Sequence, residues 1–269
     1  GQHHQNAVAY VQSGKLGPIR AVRGWSYKTW DIKTQPDGPV PAGVDYDMWL
    51  GPCPERAFNP NRFHSNFRWY WDYAGGLMTD LGVHVINLCQ WATGPENPSR
   101  IISTGGNQVM GDAIETPDTQ TALYEFPTYT LTWEHQLQGT VGPHKGQSGA
   151  CFSGSNGSLI VSQSGWEVVP DRAADGAIEA ETHPALPDGR PAHIRNFLDC
   201  MGSRELPVSN PEVGHHVTAL AHLGSIACRT KSTVLWDPES ERITNNDEAD
   251  ALVGANYRAP WKLPYSRRG

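Results

Sequence analysis

The run YTLTWEHQL, residues 129–137, is the cleanest alternating stretch of the chain and decides its fold class. Its odd-numbered residues form one apolar-aromatic face, as expected of a strand with one side in a core. Five further runs of this type surround it, separated by turn residues: 100–109, 119–126, 150–152, 158–162 and 166–169. Because these runs follow one another without intervening helices, we expect neighbouring strands to pair antiparallel.

Helical patterns flank this β-rich middle. One helix is predicted near the start of the chain, and others at residues 192–201, 211–230 and 246–254. Asn210 is a suitable cap for the 211–230 helix, and Pro211 suits its first turn. Further strands are predicted at 19–30 and 233–236. The pattern indicates an α+β fold: a large, mostly antiparallel open sheet with helices packed on one face.

Residues 75–91, GGLMTDLGVHVINLCQW, form an apolar helix-like run with two ionisable groups, Asp80 and His84. Four-residue spacing places both side chains on one face of an α-helix, with the acid nearer the N-terminus. A charged group in so apolar a run needs a partner, and an imidazole held by a carboxylate is a common general base. A structural hydrogen bond is the alternative interpretation of the same pair.

Composition excludes several classes of function. The formal charge of −7 over 269 residues argues against a nucleic-acid partner or an anionic membrane surface, since both favour basic patches. No apolar run is long enough to cross a bilayer. The five cysteines are far apart and form no CxxC pair, so we expect free thiols and no metal site.

Aromatic and polar residues are interleaved without a period just before the Asp80–His84 run. Four of them are candidates for the wall of a sugar cavity: Arg62, His64, Asn66 and Trp69. Fixed donors suit hydroxyl groups and aromatic faces suit sugar C–H surfaces. Ordinary loop packing, with Arg62 in a salt bridge, explains the pattern equally well. Lys28, at the end of the 19–30 strand, is either a substrate contact or a solvated lysine.

Several segments in this order resemble the C-terminal part of the glucose–fructose oxidoreductase / inositol dehydrogenase (Gfo/Idh/MocA) family. They are SGKLGPI (13–19), PAGVDYDMWLGPCPERAFNPNRFH (41–64), FRWYWDYAGGLMTDLGVHVINLCQW (67–91), ETPDTQTALYEF (115–126), HIRNFLDCM (193–201) and the tail from 236 to 260. The Asp-x-x-x-His element after a Gly-Gly pair is the most specific of them.

The resemblance implies a division of the complete protein. Family members begin with a dinucleotide-binding Rossmann domain, and the sequence given has no GxGxxG motif. Residues 1–18 are then the end of that domain, and residues 19–269 the substrate-binding and oligomerisation domain. NAD or NADP is expected for the complete protein, with its binding residues in the Rossmann part and none bound by this chain alone. An export signal would also lie upstream, so the compartment, cytoplasmic or exported, is open.

The resemblance also implies roles for individual residues. His84 is expected to exchange the hydroxyl proton of a sugar, cyclitol or glycoside, with Asp80 orienting its ring. His3 or His4 corresponds to a residue near the substrate. Homo-oligomers are expected to form through the large sheet, and Trp133 and His135 belong either to that exposed face or to the core.

Because adjacent helix positions diverge by about 100°, His215 and His216 are interpreted as surface or interface residues.

Two functions remain open. The first is the substrate-binding part of an NAD(P)-dependent oxidoreductase, including the variant in which transient oxidation assists glycoside cleavage, with this chain inactive by itself. The second is a stand-alone, non-catalytic module that binds carbohydrate or self-associates. An in-frame Rossmann motif upstream would favour the first function.

Overall fold

A computed structural model describes residues 1–174, 177–187 and 189–262. Within these residues one eight-stranded sheet has the order β2-β3-β4-β1-β5-β6-β7-β8, with a separate hairpin of β9 and β10. The strands are β1 Ile19–Lys28, β2 Arg100–Gly106, β3 Thr119–Glu125, β4 Thr130–Leu137, β5 Ser148–Gly154, β6 Gly157–Ser162, β7 Gly165–Pro170, β8 Glu181–Pro184, β9 Trp236–Asp237 and β10 Arg242–Ile243.

Seven of the predicted extended runs form strands, and the predicted α+β class is confirmed. The expectation of antiparallel pairing holds except at the centre, where β1 runs parallel to β4. The edge strand β8 (ETHP) was not predicted, because it is short and lacks an apolar alternation.

The helices are α1 Gln2–Gln12, α2 Tyr46–Leu50, α3 Val83–Thr93, α4 Arg190–Ser203, α5 Pro211–Thr230 and α6 Asp247–Ala251. Three of them, α1, α3 and α5, pack on one face of the sheet. The cap predicted for α5 is present, since the Asn210 side chain accepts a hydrogen bond from the amide of Val213. The Tyr124 hydroxyl donates to the carbonyl of Leu220 at 2.9 Å, which ties β3 to α5. No helix of the described residues has the length and apolar character needed to cross a bilayer.

Helix α3 approaches the central strand β1 closely because β1 carries Gly24 at the contact. A Cβ at that position would lie 2.7 Å from Cγ1 of Val85. Trp133 is the partner of Gly24 across the parallel pair and is completely buried. His135 lies two residues further along the same face of β4 and is also buried. Trp133 and His135 therefore belong to the core between sheet and helices, and not to the exposed face that could associate.

The opposite face of the sheet carries polar side chains around one buried aromatic residue. Arg23 forms an ion pair with Glu134 at 2.8 Å, and the Tyr27 hydroxyl donates to the same carboxylate at 3.0 Å. Trp25 is buried on this face beneath the loop at residues 138–147. Its indole N–H donates to the carbonyl of Gly146 in that loop at 2.9 Å. No α-helix of the described residues packs on this face, so the association through the sheet that the sequence predicts would use it.

Helix α4 stands apart from the core. Among its described residues none is buried, and Ile194, Phe197, Leu198 and Met201 remain 58%, 56%, 47% and 56% exposed. Their spacing places all four on one face of the helix. Contiguous exposed apolar patches of this type usually mark an interaction surface.

Candidate functional site

Asp80 lies in a turn that departs from the expected α-helix. Residues Met78–Gly82 form a π-helical turn that leads into α3. In such a turn hydrogen bonds run from residue i to i+5, so the one-turn alignment of positions four apart is lost. Gly82 permits this conformation against the core, since a Cβ there would lie 3.2 Å from the ring of Trp133. The sequence pattern predicted a plain helix here, which is wrong for these five residues.

Arg68 is the partner of Asp80. Its Nε lies 3.2 Å from Oδ1 of Asp80, and both side chains are mostly shielded from solvent. The guanidinium also lies 5.0 Å above the ring of Trp30 and donates to the carbonyl of Ser65. Within the described part of the chain, no hydrogen bond or ion pair joins Asp80 to His84. The direct pairing expected from their spacing is therefore not formed.

His84 is exposed in the first turn of α3. Its neighbour Val85 packs against Gly24 of β1, which fixes this turn over the central strand. Lys28 ends β1 and pairs in register with Leu137 of β4, and its side chain is exposed. An exposed imidazole can exchange a proton with a hydroxyl group and can bind polar substrate groups. Among the described residues, no apolar environment shields His84 from solvent.

The aromatic loop that precedes this turn is packed mainly against itself. Arg62 is 9% exposed and donates to Asp37 Oδ1 at 3.0 Å and to the carbonyl of Ala57 at 2.7 Å. Trp69 is completely buried and meets Trp30 edge-on at 5.2 Å. Both residues therefore follow the packing alternative, since neither has a free face for a sugar.

Asn66 and His64 are placed differently. The amide of Asn66 lies 3.5 Å from Oδ1 of Asn61, and Asn66 is half-buried. His64 is exposed, has φ of +48° and contacts the ring of Phe63. A positive φ is uncommon for a residue with a side chain and occurs disproportionately at functional sites. Of the four loop candidates, His64 remains the most accessible.

His3 and His4 lie at the start of α1, where the described contacts join them to the far edge of the sheet. His3 is buried, and its Nδ1 accepts a hydrogen bond from the amide of Leu186 at 3.3 Å. Burial and the neighbouring imidazole lower the pKa of His4 to about 4. No described contact links either ring to Asp80 or His84, so the structure does not bring these candidates together.

The remaining histidines and the cysteines are placed as follows. His215 and His216 diverge: the first contacts Glu241 at 2.7 Å, whereas the second contacts Gln90 at 3.1 Å. The described residues contain no group of three or more His, Cys, Asp or Glu arranged to hold a metal ion. All five cysteines are free.

Arg68 is the site residue that sequence reasoning missed. It lies twelve residues before Asp80 and reaches it through an irregular 3-10 turn, His64–Trp69. No helical or strand period connects positions at that separation. The only available signal was its presence in the FRWYWDY segment that resembles the family.

A sequence model of the "Oxidoreductase family, C-terminal alpha/beta domain" (GFO_IDH_MocA_C2) matches residues 10–263. The chain belongs to the Gfo/Idh/MocA oxidoreductase family. No curated protein matches it in sequence. Among solved structures, an aldose-aldose oxidoreductase from Caulobacter crescentus, complexed with glycerol, is similar with a TM-score of 0.58 and 18% identity over 87% of this chain and 60% of that one.

Two further solved structures are similar in fold. The WlbA dehydrogenase from Bordetella pertussis, in complex with NADH and UDP-GlcNAcA, has a TM-score of 0.56 and 14% identity over 87% of this chain and 59% of that one. An oxidoreductase from Agrobacterium radiobacter, in complex with NAD+, L-tartaric acid and magnesium, has a TM-score of 0.57 and 15% identity over 87% of this chain and 61% of that one. The chain thus spans about 60% of the length of these structures.

Proposed function

We propose that this chain is the substrate-binding and oligomerisation part of an NAD(P)-dependent oxidoreductase that acts on a sugar, cyclitol or glycoside. The observation that carries the proposal is the exposed imidazole of His84, four residues along the chain from Asp80, whose carboxylate Arg68 holds in an ion pair. Membership of an oxidoreductase family and the NADH and NAD+ complexes of similar structures support it. An NAD-assisted glycosidase is a variant of the same proposal.

In this proposal His84 acts as the acid/base group. A bound nicotinamide would supply the hydride acceptor for the substrate carbon whose C–O bond becomes a carbonyl. His84 accepts the proton that leaves the hydroxyl oxygen, so charge and atoms balance. Arg68 holds Asp80 at the edge of the site, where its carboxylate stabilises the imidazolium through space. The described residues contain no glycine-rich phosphate loop, so they do not fit the dinucleotide themselves.

We further propose that a dinucleotide-binding domain precedes this chain in the complete protein. Residues 1–18 would be its last part, and residues 19–269 the substrate-binding and oligomerisation domain. The uncovered apolar face of α4 supports this arrangement, because a second domain would remove Phe197 and its neighbours from water. The same domain would cover His84 and exclude water from the reaction.

The test uses the protein with its natural upstream sequence. His84→Asn should lower kcat for the best polyol substrate by about 10²–10⁴-fold, the range typical of a lost general acid/base. Dinucleotide affinity by calorimetry and the melting temperature should stay close to wild type. His144→Asn is the matched control, since His144 is exposed on the loop over the opposite face. Retained kcat in His84→Asn, or no dinucleotide affinity in the complete protein, would refute the proposal.

The stand-alone carbohydrate-binding or self-associating module remains the second candidate. The observation in its favour is that a folded core forms from the described residues alone, with His84 open to solvent. Calorimetry of this chain with aldoses and inositol, without dinucleotide, separates the two. Sugar binding that is lost in His84→Asn and needs no upstream sequence would favour the module. The purified chain by itself should form no NADH with any sugar under the first proposal.

A further inference from the structure

A groove runs along α5, and neither Asp80 nor His84 lines it. It has a volume of about 520 Å³ and is bounded by α5, by the loop at residues 71–75 and by the segment at residues 251–256. This size lies within the range of about 300–1,000 Å³ that is usual for small-molecule sites. Its floor is apolar, with side chains that include Leu223, Ile226, Leu252 and Val253.

The carboxylates around the groove have basic partners, whereas Arg229 has no carboxylate partner. Asp72 and Glu115 share Arg56, at 2.9 Å and 3.0 Å, and Glu241 contacts His215 at 2.7 Å. Arg229 lies in the same recess as Glu115, but within the described residues no carboxylate comes within 4 Å of its guanidinium. One end of the groove therefore presents a guanidinium that no ion pair occupies.

Trp71 holds Arg229 in place at that end. The guanidinium lies 4.5 Å from the centre of the indole ring, within the range of a cation–π contact. Both residues also line an adjoining recess of about 320 Å³. The contact occupies one face of the planar guanidinium and leaves its N–H edge available for a fork of two parallel hydrogen bonds.

One hydroxyl group on the wall of the groove has no hydrogen-bond partner. Ser225 lines the groove and is 3% exposed, and its Oγ is unpaired. Buried polar groups are nearly always satisfied in folded proteins, and an exception needs an explanation.

We propose that this groove binds a small organic acid with a carboxylate and an aromatic or aliphatic body. Arg229 would bind the carboxylate, Ser225 would donate to one of its oxygens or to a polar substituent, and the body would lie on the apolar floor. A neutral sugar fits less well, because it would offer Arg229 no carboxylate. The site is separate from His84 and does not depend on the oxidoreductase proposal.

The test measures binding of 4-fluorobenzoate to the intact chain by fluorine NMR line broadening, with 4-fluorobenzyl alcohol as the neutral analogue. We expect saturable binding of the acid and at least tenfold weaker binding of the alcohol. Arg229→Gln should weaken the acid at least tenfold, because a charge-assisted contact is lost. Arg195→Gln is the matched control, since it changes an exposed arginine on α4.

Two further variants make each outcome decisive. Ser225→Ala should weaken the acid while leaving the melting temperature unchanged or higher, because an unsatisfied buried hydroxyl is removed. His84→Asn should bind the acid as the wild type does. No binding at 10 mM acid, equal binding of the alcohol, or unchanged binding in Arg229→Gln would each overturn the proposal. Loss of binding in His84→Asn would instead assign the acid to the site of the proposed oxidoreductase.

Discussion

His135 should make the free energy of unfolding depend on pH in a defined window. Its Nδ1 accepts a hydrogen bond from the Trp133 indole at 3.2 Å, and its Nε2 lies 3.1 Å from the carbonyl of Pro117. The neutral ring with its hydrogen on Nε2 satisfies both partners. Protonation of Nδ1 would place two N–H donors, those of His135 and of the Trp133 indole, against each other. Burial of the ring lowers the pKa of His135 to about 4.

The direction and the size of the change in the free energy of unfolding follow from the pKa of His135. An unfolded histidine binds its proton below about pH 6.5, whereas the folded one binds it only below about pH 4. The unfolded state therefore holds more protons between these values, so stability falls as the pH is lowered from about 6.5 to 4. A difference of about 2.5 units at about 1.36 kcal/mol per unit gives a loss of about 3 kcal/mol.

Urea denaturation at several pH values from 4 to 8 measures this loss. The comparison is with His135→Gln, whose amide can accept from Trp133 and donate to Pro117 but does not titrate. The variant should be less stable at pH 7 and should show a shallower pH dependence, by up to one proton, between pH 4 and 6.5. His4 titrates in the same window and contributes equally to both proteins. Parallel stability curves for the two proteins would refute the reasoning.

Two further substitutions test the packing. Gly24→Ala should cost about 1–3 kcal/mol in urea denaturation, because its Cβ would overlap Val85, whereas Gly38→Ala, which meets nothing within 4 Å, should change stability by less than about 0.5 kcal/mol. Equal effects of the two would contradict the close approach of α3 to β1. Phe197→Ser on the exposed face of α4 should leave the stability of this chain within about 0.5 kcal/mol, whereas Phe152→Ala in the core should cost about 3–5 kcal/mol. A large loss in Phe197→Ser would show that α4 packs on the core.

Local patterns in the sequence were enough to predict most elements. Strand β4 and helix α5 begin and end within one residue of their predicted limits, because their alternation, cap and proline are local signals. Alternation shows that β4 has an apolar face, but it does not show whether that face meets the helices or lies on the opposite side of the sheet. The register of Trp133 with Gly24 decides that Trp133 and His135 face the helices.

The candidate site was predicted less completely, for a different reason. Asp80 and His84 share one local segment, so their candidacy followed from spacing and from the resemblance to a family. The contacts that decide each side chain's environment come from distant residues. Arg68 reaches Asp80 through an irregular turn, and Asp37 holds Arg62 across twenty-five positions. Such pairings leave no period in the sequence.

The position of β1 has a consequence for how the chain is synthesised and folds. This strand is the second element of the chain, yet both of its neighbours in the sheet, β4 and β5, come more than one hundred residues later. The native partners of its backbone groups and of Val22 therefore exist only after most of the polypeptide has been synthesised. Long sequence separation between contacting residues slows folding and exposes unpaired strand edges to aggregation. Truncations that stop before Gly154 should consequently accumulate as insoluble protein rather than as a smaller folded unit.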